Sequence, residues 1–232
     1  MKNTITLFFI FFVLNSTLAQ SGKVFYNVQM SVDLGEVPKD KKDFITQMVN
    51  DAKTQQFELL FNKSKSSFKI NKKLDNLSEY EVKMKNIASM AFTSSSEIYI
   101  DIERKIEIDK TKEGVLIESI YSNTNWEIST ESKIIADYTC YKAIKKIFFV
   151  NRKGQRSVKE VTAWFAPSLP YSFGPKNFYG LPGLILELTE NRTTYLAAVI
   201  NLNDNTITID FPKGKTVTKE VYEKGLQTQM GM

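Results

Sequence analysis

Apolar and polar residues alternate with a period of two along most of the chain. Such alternation is typical of β-strands that bury one face, and the alternating segments are rich in β-branched and aromatic side chains, which favour strands. The pattern predicts ten strands: Val24–Val32, Phe57–Phe61, Ser67–Ile70, Ile98–Ile102, Val115–Tyr121, Ile144–Val150, Val158–Phe165, Leu184–Leu188, Tyr195–Ile200 and Thr206–Phe211.

Short polar segments lie between these predicted strands and are rich in residues that form turns. Because each one separates two alternating segments, consecutive strands are expected to pair as antiparallel hairpins. The predicted turns are Asn62-Lys63-Ser64, Lys112-Glu113-Gly114, Asn123-Thr124-Asn125, Arg152-Lys153-Gly154 and Asn201 to Asn205.

Helical spacing of apolar residues is clear in one segment, from Pro38 to Lys53. Proline suits the first turn of a helix, and the later apolar residues recur at helical spacing on one face. A second short helix is predicted over Thr218 to Lys224, whereas the ambiguous pattern from Leu74 to Ala91 predicts no element. Together the patterns predict an all-β, mainly antiparallel fold, in which one strongly curved meander sheet forms a barrel or half-barrel with one or two short helices.

The first 19 residues have the pattern of a secretory signal peptide. Lys2 supplies a positive charge, an apolar run extends from Ile5 to Leu14, and small residues end at Ala19. The apolar run has about ten residues, too few to span the roughly 30 Å hydrocarbon core of a membrane. No cysteine follows it for lipid attachment. We therefore expect a signal peptide at residues 1–19, a single domain at residues 20–232, and a periplasmic or secreted mature protein.

An apolar segment at residues 178–188, FYGLPGLILEL, opens with two glycines on either side of a proline. Leu181-Pro182-Gly183-Leu184 suits a type II turn, in which proline presets φ at the second position and Gly183 supplies a positive φ at the third. The residues from Leu184 to Leu188 are then apolar at nearly every position. This pattern predicts a tight turn that leads into a strand buried on both faces.

The hexapeptide Gly180-Leu181-Pro182-Gly183-Leu184-Ile185 is the motif after which the GLPGLI family of exported proteins from Gram-negative bacteria is named. The chain resembles that family from about Ile134 to Leu188. The resemblance implies export and a single β-rich domain, and it implies no activity, cofactor or catalytic residue. The other matching segments are Ala163-Trp164-Phe165, Leu169-Pro170, Gly174-Pro175 and Asp137 to Ala143, where Asp137 stands in place of the usual glycine.

The chain lacks the residues on which most catalytic sites depend. It has no histidine and one cysteine, which excludes Ser-His-Asp and Cys-His catalysis, imidazole or thiolate metal sites and a C-x-x-C redox pair. Cys140 is predicted to be a small buried side chain. Asp101 and Glu103 alternate with Ile100 and Ile102, which predicts that both acids lie on the polar face of a strand. No enzyme activity, metal or cofactor is therefore predicted.

Two features are candidates for contact with a ligand or partner. If Ile98 to Ile108 is one strand, Arg104 lies on its apolar face and needs a buried acid or an anionic ligand, whereas a turn at Glu103 to Lys105 would change the register. The segment from Trp164 to Tyr179 has six aromatics and three prolines, and its aromatics either plug one end of the sheet or line the mouth of a cavity. The candidate contacts are Trp164, Phe165, Tyr171, Phe173, Phe178, Tyr179 and Arg104.

The charge pattern adds one more candidate surface. The net charge of +5 becomes +4 without Lys2, and most cations are interleaved with acids, so no nucleic-acid binding is predicted. One predicted hairpin is an exception, because its cations are followed by no acid until Glu160. They form either a solvated hairpin tip or a peripheral contact with anionic headgroups of the envelope. These cations are Lys142, Lys145, Lys146, Arg152, Lys153, Arg156 and Lys159.

Three functions are compatible with the sequence. The favoured one is a non-enzymatic binding or carrier module of the envelope, whose curved sheet holds an apolar or amphipathic ligand. The second is a protein–protein interaction module with a filled core that docks on an outer-membrane protein, and the least favoured is a carboxylate-based hydrolase. An apolar cavity would support the first, a packed interior with an exposed aromatic patch the second, and two acids facing each other in a cleft the third.

Overall fold

The chain folds around one large β-sheet. The computed structural model of the protein describes residues 21–35, 37–72, 77–120, 125–151, 154–203, 205 and 207–229, and the predicted signal peptide at residues 1–19 lies outside these described residues. The described elements are β1 (Ser21–Met30), a 3-10 helix (Lys39–Lys41), α1 (Lys42–Lys53), β2 (Gln56–Asn62), β3 (Lys65–Ile70), α2 (Glu79–Phe92), β4 (Glu97–Asp101), β5 (Ile106–Lys110), β6 (Leu116–Ile120), β7 (Glu127–Ile135), β8 (Tyr138–Val150), β9 (Arg156–Ala166), β10 (Leu184–Glu190), β11 (Thr193–Asn203), β12 (Thr216–Thr218) and α3 (Lys219–Gln229).

The strands form one sheet of two meanders, β1 to β6 and β7 to β11, in the order β12-β6-β5-β4-β3-β2-β1-β11-β10-β9-β8-β7. Neighbouring strands are antiparallel, except that β12 pairs in parallel with β6. β1 pairs with both β2 and β11 and so joins the two halves of the sheet. The sheet is curved but not closed, because its edge strands β7 and β12 do not pair with each other. The predicted all-β fold class is therefore confirmed, in its half-barrel form.

Most predicted elements are present, and the differences lie at the sheet edges and in the helices. β8 begins at Tyr138 rather than Ile144, while β5, β7 and β12 have no counterpart in the prediction. The strand predicted from Thr206 to Phe211 is wrong, since residues 207–211 are irregular, and the turn predicted from Asn201 to Asn205 begins too early, because β11 continues to Asn203. Both predicted helices are confirmed by α1 and α3, and α2 occupies the segment for which no element was predictable.

Alternation along the strands buries one face of the sheet, called the inner face here. In β1 and β2 every second residue is buried, and these side chains are Val24, Tyr26, Val28, Phe57, Leu59 and Phe61. Phe57 stacks on Phe68 of β3 with ring centroids 5.1 Å apart, and Tyr195 of β11 meets Phe57 edge-on at 5.3 Å. These rings hold the centre of the sheet together through apolar burial and aromatic packing.

The helices α1 and α2 form a smaller second core. Met48 and Ala52 of α1 pack against Met84 and Ala88 of α2, and all four side chains are buried. α2 begins at a capping box, in which the Ser78 hydroxyl accepts a hydrogen bond from the backbone of Glu81. This cap satisfies amide groups that would otherwise lack partners in the first turn, which fixes where the helix begins.

Candidate functional site

The connection between β9 and β10, residues 167–183, fills the inner face and is called the plug segment here. Its Tyr171 packs on Phe61 of β2 with ring centroids 4.6 Å apart, and its Phe178 meets Trp126 at 6.2 Å. Five of the predicted contact residues have at most 6% of their surface exposed, so they plug the sheet and do not line the mouth of an open cavity. These residues are Phe165, Tyr171, Phe173, Phe178 and Tyr179.

Hydrogen bonds fasten the plug segment to the start of β10. The amide of Leu184 donates to the carbonyl of Leu169 at 2.9 Å, and the amide of Ile185 donates to that of Phe173 at 3.0 Å. The hydroxyl of Tyr26 on β1, which is fully buried, donates to the carbonyl of Ile185 at 2.6 Å. Because these groups are away from water, the hydrogen bonds are needed to offset the cost of burying the backbone.

One of the two glycines of the hexapeptide does not have its predicted role. Gly180 has a φ of +90°, whereas Gly183 is outside the positive-φ region, so the predicted positive φ at Gly183 is wrong. Gly183 is required for space, because a Cβ there would lie 2.3 Å from the carbonyl oxygen of Ala166. After this close approach, Leu184, Ile185 and Leu186 are fully buried, which confirms the prediction of a strand buried on both faces.

Arg104 is exposed in the turn between β4 and β5, so the alternative in which it points into the core is wrong. Asp101 lies on the face of β4 opposite to Ile98 and Ile100, as predicted, and pairs with Lys65 of β3, but it is only 1% exposed. The Asp101 carboxylate accepts a hydrogen bond from the amide of Arg104 at 2.9 Å and lies 3.7 Å from the ammonium of Lys65. Asp101 therefore shapes the hairpin, a role that alternation alone does not reveal.

Trp164 and Cys140 occupy structural positions. The ammonium of Lys133 lies 4.3 Å from the centre of the Trp164 ring and 2.7 Å from the carboxylate of Glu187. Cys140 is fully buried, as predicted, and burial raises the pKa of its thiol to about 11. A thiol that stays protonated at neutral pH is a poor nucleophile and a poor metal ligand.

A charged cluster crosses the inner face beside the tip of the plug segment. The carboxylate of Glu190 on β10 lies 2.5 Å from the ammonium of Lys159 and also binds Lys176 of the plug segment. Burial alone would raise the pKa of Glu190, but the charges of Lys176 and Lys159 outweigh this effect and hold its pKa below the usual range. Glu190 therefore ties the plug segment to the β9–β10 half of the sheet.

The opposite half of the sheet contributes two further acids to this cluster. Asn177 of the plug segment donates a hydrogen bond to Glu107 of β5 at 3.2 Å. Burial raises the pKa values of both Glu107 and Asp109. The two acids are two residues apart on β5 and project from one face of it, so they do not face each other across a cleft as a hydrolase pair would.

The cations of the β8–β9 hairpin are largely paired with acids. Lys142 lies 3.0 Å from Glu131, Lys146 lies 3.3 Å from Glu127, and Lys159 is bound to Glu190 on the inner face. Arg152 and Lys153 lie outside the described residues. The predicted basic cluster is thus divided between the two faces of the sheet.

A groove of about 580 Å³ lies beside α2 and is called the α2 groove here. It lies between α2, the ends of β3 and β5, and the connection from α2 to β4. Ile70, Leu77 and Val82 provide apolar walls. Sequence reasoning missed this site because α2 had no clear helical pattern, although the lysines at the ends of β3 and β5 are visible in the sequence.

The side chains that line the α2 groove carry more positive than negative charge. Its lining includes one acid, Glu97, which accepts hydrogen bonds from the Tyr99 hydroxyl at 2.8 Å and from Lys110 at 3.2 Å. The lysines that line it are Lys72, Lys85, Lys110 and Lys112. With four lysines and one acid, the lining carries an excess of positive charge that suits an anionic group.

A fixed polar network forms one side of the α2 groove. The side-chain amide of Gln55, which is buried, donates to the hydroxyl of Ser89 at 2.9 Å and accepts from that of Thr93 at 2.6 Å. These contacts lock the start of β2 to α2. The groove is therefore built on a rigid wall, which reduces the entropy lost when a ligand binds.

No cluster of three or more potential metal-binding side chains is present in the described part of the chain. Among its helices, none is both long enough and apolar enough to cross a membrane.

The fold and the plug segment define the class of this domain as a curved, open antiparallel sheet filled by one of its own connections. The profile of a family described as "Protein of unknown function (Porph_ging)" matches residues 150–187, which include the GLPGLI hexapeptide. The more specific resemblance to the GLPGLI family stays a prediction. No curated protein matches the chain.

Two solved structures share this fold at low sequence identity. The chain is 14% identical to the protein described as "Structure of PNGF-II in P21 space group", with a TM-score of 0.54 over 89% of this chain and 33% of that one. For the protein described as "Structure of PNGF-II in C2 space group", the identity is 14% and the TM-score 0.53, over 89% of this chain and 32% of that one. The chain thus spans about a third of the length of these proteins, and the likeness shows the fold alone.

Proposed function

We propose that this protein is an exported, non-enzymatic binding module that holds an anionic amphipathic ligand in the α2 groove. The observation that carries the proposal is the pairing of apolar walls with an excess of lysines in a groove of about 580 Å³. Ligand sites of small molecules have volumes of this order and combine apolar walls with a few polar groups.

The packing of the inner face supports a site outside the sheet. The aromatic side chains of the plug segment occupy the region where a carrier would hold an apolar ligand. An apolar ligand at that place would have to displace the plug segment and break its hydrogen bonds to β10. The α2 groove needs no such rearrangement, since it is already open.

The two chemical features of the α2 groove suit the two ends of an amphipathic molecule. An apolar chain placed against Leu77 and Val82 would cover surface that is now accessible, since 44% of the Val82 side chain is exposed. A phosphate or carboxylate at the other end would meet Lys72 and Lys112, which lie at the ends of β3 and β5. The absence of histidine supports a binding role rather than a catalytic one.

Titration calorimetry with two probes tests the proposal. The chain without residues 1–19 is titrated with decyl phosphate and with decyl maltoside, each below its micelle-forming concentration. The probes share an apolar chain and differ in head-group charge, so we expect decyl phosphate to bind about tenfold more tightly. The double substitution Lys72→Gln and Lys112→Gln should remove that preference, while Val82→Asn should weaken the binding of both probes.

Matched variants separate local effects from general ones. Lys83→Gln combined with Lys41→Gln removes the same amount of charge at exposed positions outside the groove lining, and should leave the affinity for decyl phosphate unchanged. Val221→Asn alters an exposed valine of α3 in the same way as Val82→Asn. Equal affinity of the two probes, or equal loss in the groove variants and the matched variants, would contradict the proposal.

A further inference from the structure

The outer part of the β8–β9 hairpin projects from the sheet as a two-stranded ribbon. β7 pairs with β8 as far as Ile144, and β10 pairs with β9 as far as Val161. Beyond these residues, β8 and β9 pair only with each other in the described part of the chain, up to the pair of Val150 with Arg156. Residues 145–150 and 156–160 therefore form a ribbon without neighbouring strands, called the projecting ribbon here.

Large apolar side chains are exposed on both faces of the projecting ribbon. Phe148 lies directly opposite Val158, and these side chains are 76% and 52% exposed. Val150 projects from the same face and is 66% exposed, while Phe149 projects from the other face and is 45% exposed. Clusters of exposed apolar side chains of this kind mark interaction sites in soluble proteins.

The charge of the projecting ribbon is positive. From Lys145 to Lys159 the sequence contains cations and no acidic residue, and the one acid of the projecting ribbon, Glu160, lies opposite Lys146. Arg156 is exposed opposite Val150, and Lys146, which lies 3.3 Å from Glu127, is exposed next to Phe148 along the strand. An anionic surface with an apolar interior complements this arrangement.

We propose that the projecting ribbon docks on a membrane surface that contains anionic phospholipids. Insertion of the ribbon tip between lipid headgroups would bury Phe148 and Phe149 at once, although they lie on opposite faces, whereas a flat protein surface would cover one face only. The neighbouring cations would bind lipid phosphates, since basic residues beside inserted apolar ones strengthen attachment to anionic bilayers. This site is separate from the α2 groove.

Vesicle sedimentation tests the docking site. The chain without residues 1–19 is mixed with vesicles of phosphatidylglycerol and phosphatidylethanolamine, or with vesicles of phosphatidylcholine alone. We expect binding to the anionic vesicles that falls as salt is raised from 0.1 to 0.5 M, roughly as charge screening predicts. The double substitution Phe148→Ser and Val158→Ser should reduce partitioning at least tenfold, and Arg156→Gln should reduce it about fivefold.

Two controls keep this test specific. Ile120→Ser combined with Val221→Ser removes two exposed apolar side chains elsewhere and should leave partitioning unchanged. The groove variant with Lys72→Gln and Lys112→Gln should also keep its partitioning to within twofold, which separates this proposal from the previous one. Each variant is compared with the parent by circular dichroism and by its melting temperature.

Three results would overturn the proposal. The first is equal binding to anionic and neutral vesicles, and the second is unchanged partitioning when Phe148 and Val158 are replaced. The third is absence of vesicle binding together with a dimer that the same substitutions abolish in analytical ultracentrifugation. That result would assign the projecting ribbon to contact between two copies of the chain.

Discussion

Two glycines of the hexapeptide are needed for different physical reasons. Gly180 adopts a left-handed backbone conformation with a φ of +90°, in which a side chain is strained. Gly183 has an ordinary backbone conformation, and its missing side chain leaves room for the carbonyl of Ala166. The sequence indicated a turn that needs glycine, but only the packing of the plug segment shows which glycine serves which purpose.

Replacing Gly183 by alanine should destabilise the protein. The added Cβ would lie 2.3 Å from the Ala166 carbonyl oxygen, and backbone atoms on both sides would have to shift. We expect a loss of about 2 kcal/mol or more in the free energy of unfolding, measured with urea. Gly225→Ala in α3 is the matched control, because nothing lies near its added methyl group and alanine favours a helix. A loss no larger than that of the control would show that the plug segment adjusts freely.

The acids of the inner-face cluster should affect stability in opposite directions as the pH changes. The pKa of Glu190 is lowered in the folded state, so its contribution is present above its unfolded pKa and is lost as the pH falls through the folded value. The pKa of Glu107 is raised by burial, so its contribution is present below its unfolded pKa and is lost as the pH rises through the folded value.

Glutamine substitutions measure these contributions. At pH 7, Glu190→Gln should lower the free energy of unfolding by about 2 kcal/mol, because two lysines lose their partner, and the loss should shrink near pH 3.

Glu107→Gln should instead raise the melting temperature at pH 7, because an amide oxygen can still accept from Asn177 without the cost of a buried charge. This gain should vanish near pH 3. Melting curves of both variants at pH 7 and pH 3 measure these effects. If both substitutions change the melting temperature in the same direction at pH 7, the opposite contributions of Glu190 and Glu107 are contradicted.

At the scale of elements, the predictable strands are those that bury one face. β1 and β2 alternate strictly and were predictable from their residues alone. β7 is an edge strand whose residues are mostly exposed on both sides, and β12 consists of three residues held by β6, so neither has an alternating pattern to detect. Edge strands depend on a neighbouring strand for their hydrogen bonds, which a local pattern cannot show.

The cap of α2 can be tested by a single substitution. Ser78→Ala removes the hydroxyl that accepts from the amide of Glu81, and should lower the free energy of unfolding by about 1 kcal/mol. Ser78→Thr keeps a hydroxyl at the same position and should retain most of the stability. Thermal unfolding of the two variants beside the parent decides the question, and equal stability of both would mean that α2 does not depend on its capping box.

At the scale of the whole molecule, the plug segment connects the two halves of the open sheet. Lys176 binds Glu190 on β10, and the neighbouring Asn177 binds Glu107 on β5. These contacts span the inner face between β10 and β5, two strands in opposite halves of the sheet. The plug segment thus ties the two halves of the open sheet together across its inner face.

Hydrogen exchange should distinguish β10, which is supported by the plug segment, from α3, which is not. The amides of Leu184 and Ile185, which bond to the plug segment, should exchange only when the whole protein unfolds. Amides of α3 should exchange orders of magnitude faster through local opening, because α3 exposes Val221 and Leu226 and follows the three-residue strand β12. Exchange of Ile185 as fast as that of α3 would show that the plug segment undocks independently of the sheet.

Local patterns in the sequence determined the strand-rich fold, two of the helices and the exposed hairpins, because periodicity and turn chemistry act between residues close together in the chain. Tertiary structure decided the rest. In the folded protein the plug segment fills the inner face, Arg104 lies in a turn and Asp101 is buried. The ends of β3 and β5 lie beside α2 and form the α2 groove with it. These outcomes depend on contacts between residues distant in the chain, which are set by the curvature of the open sheet and leave no periodic signal.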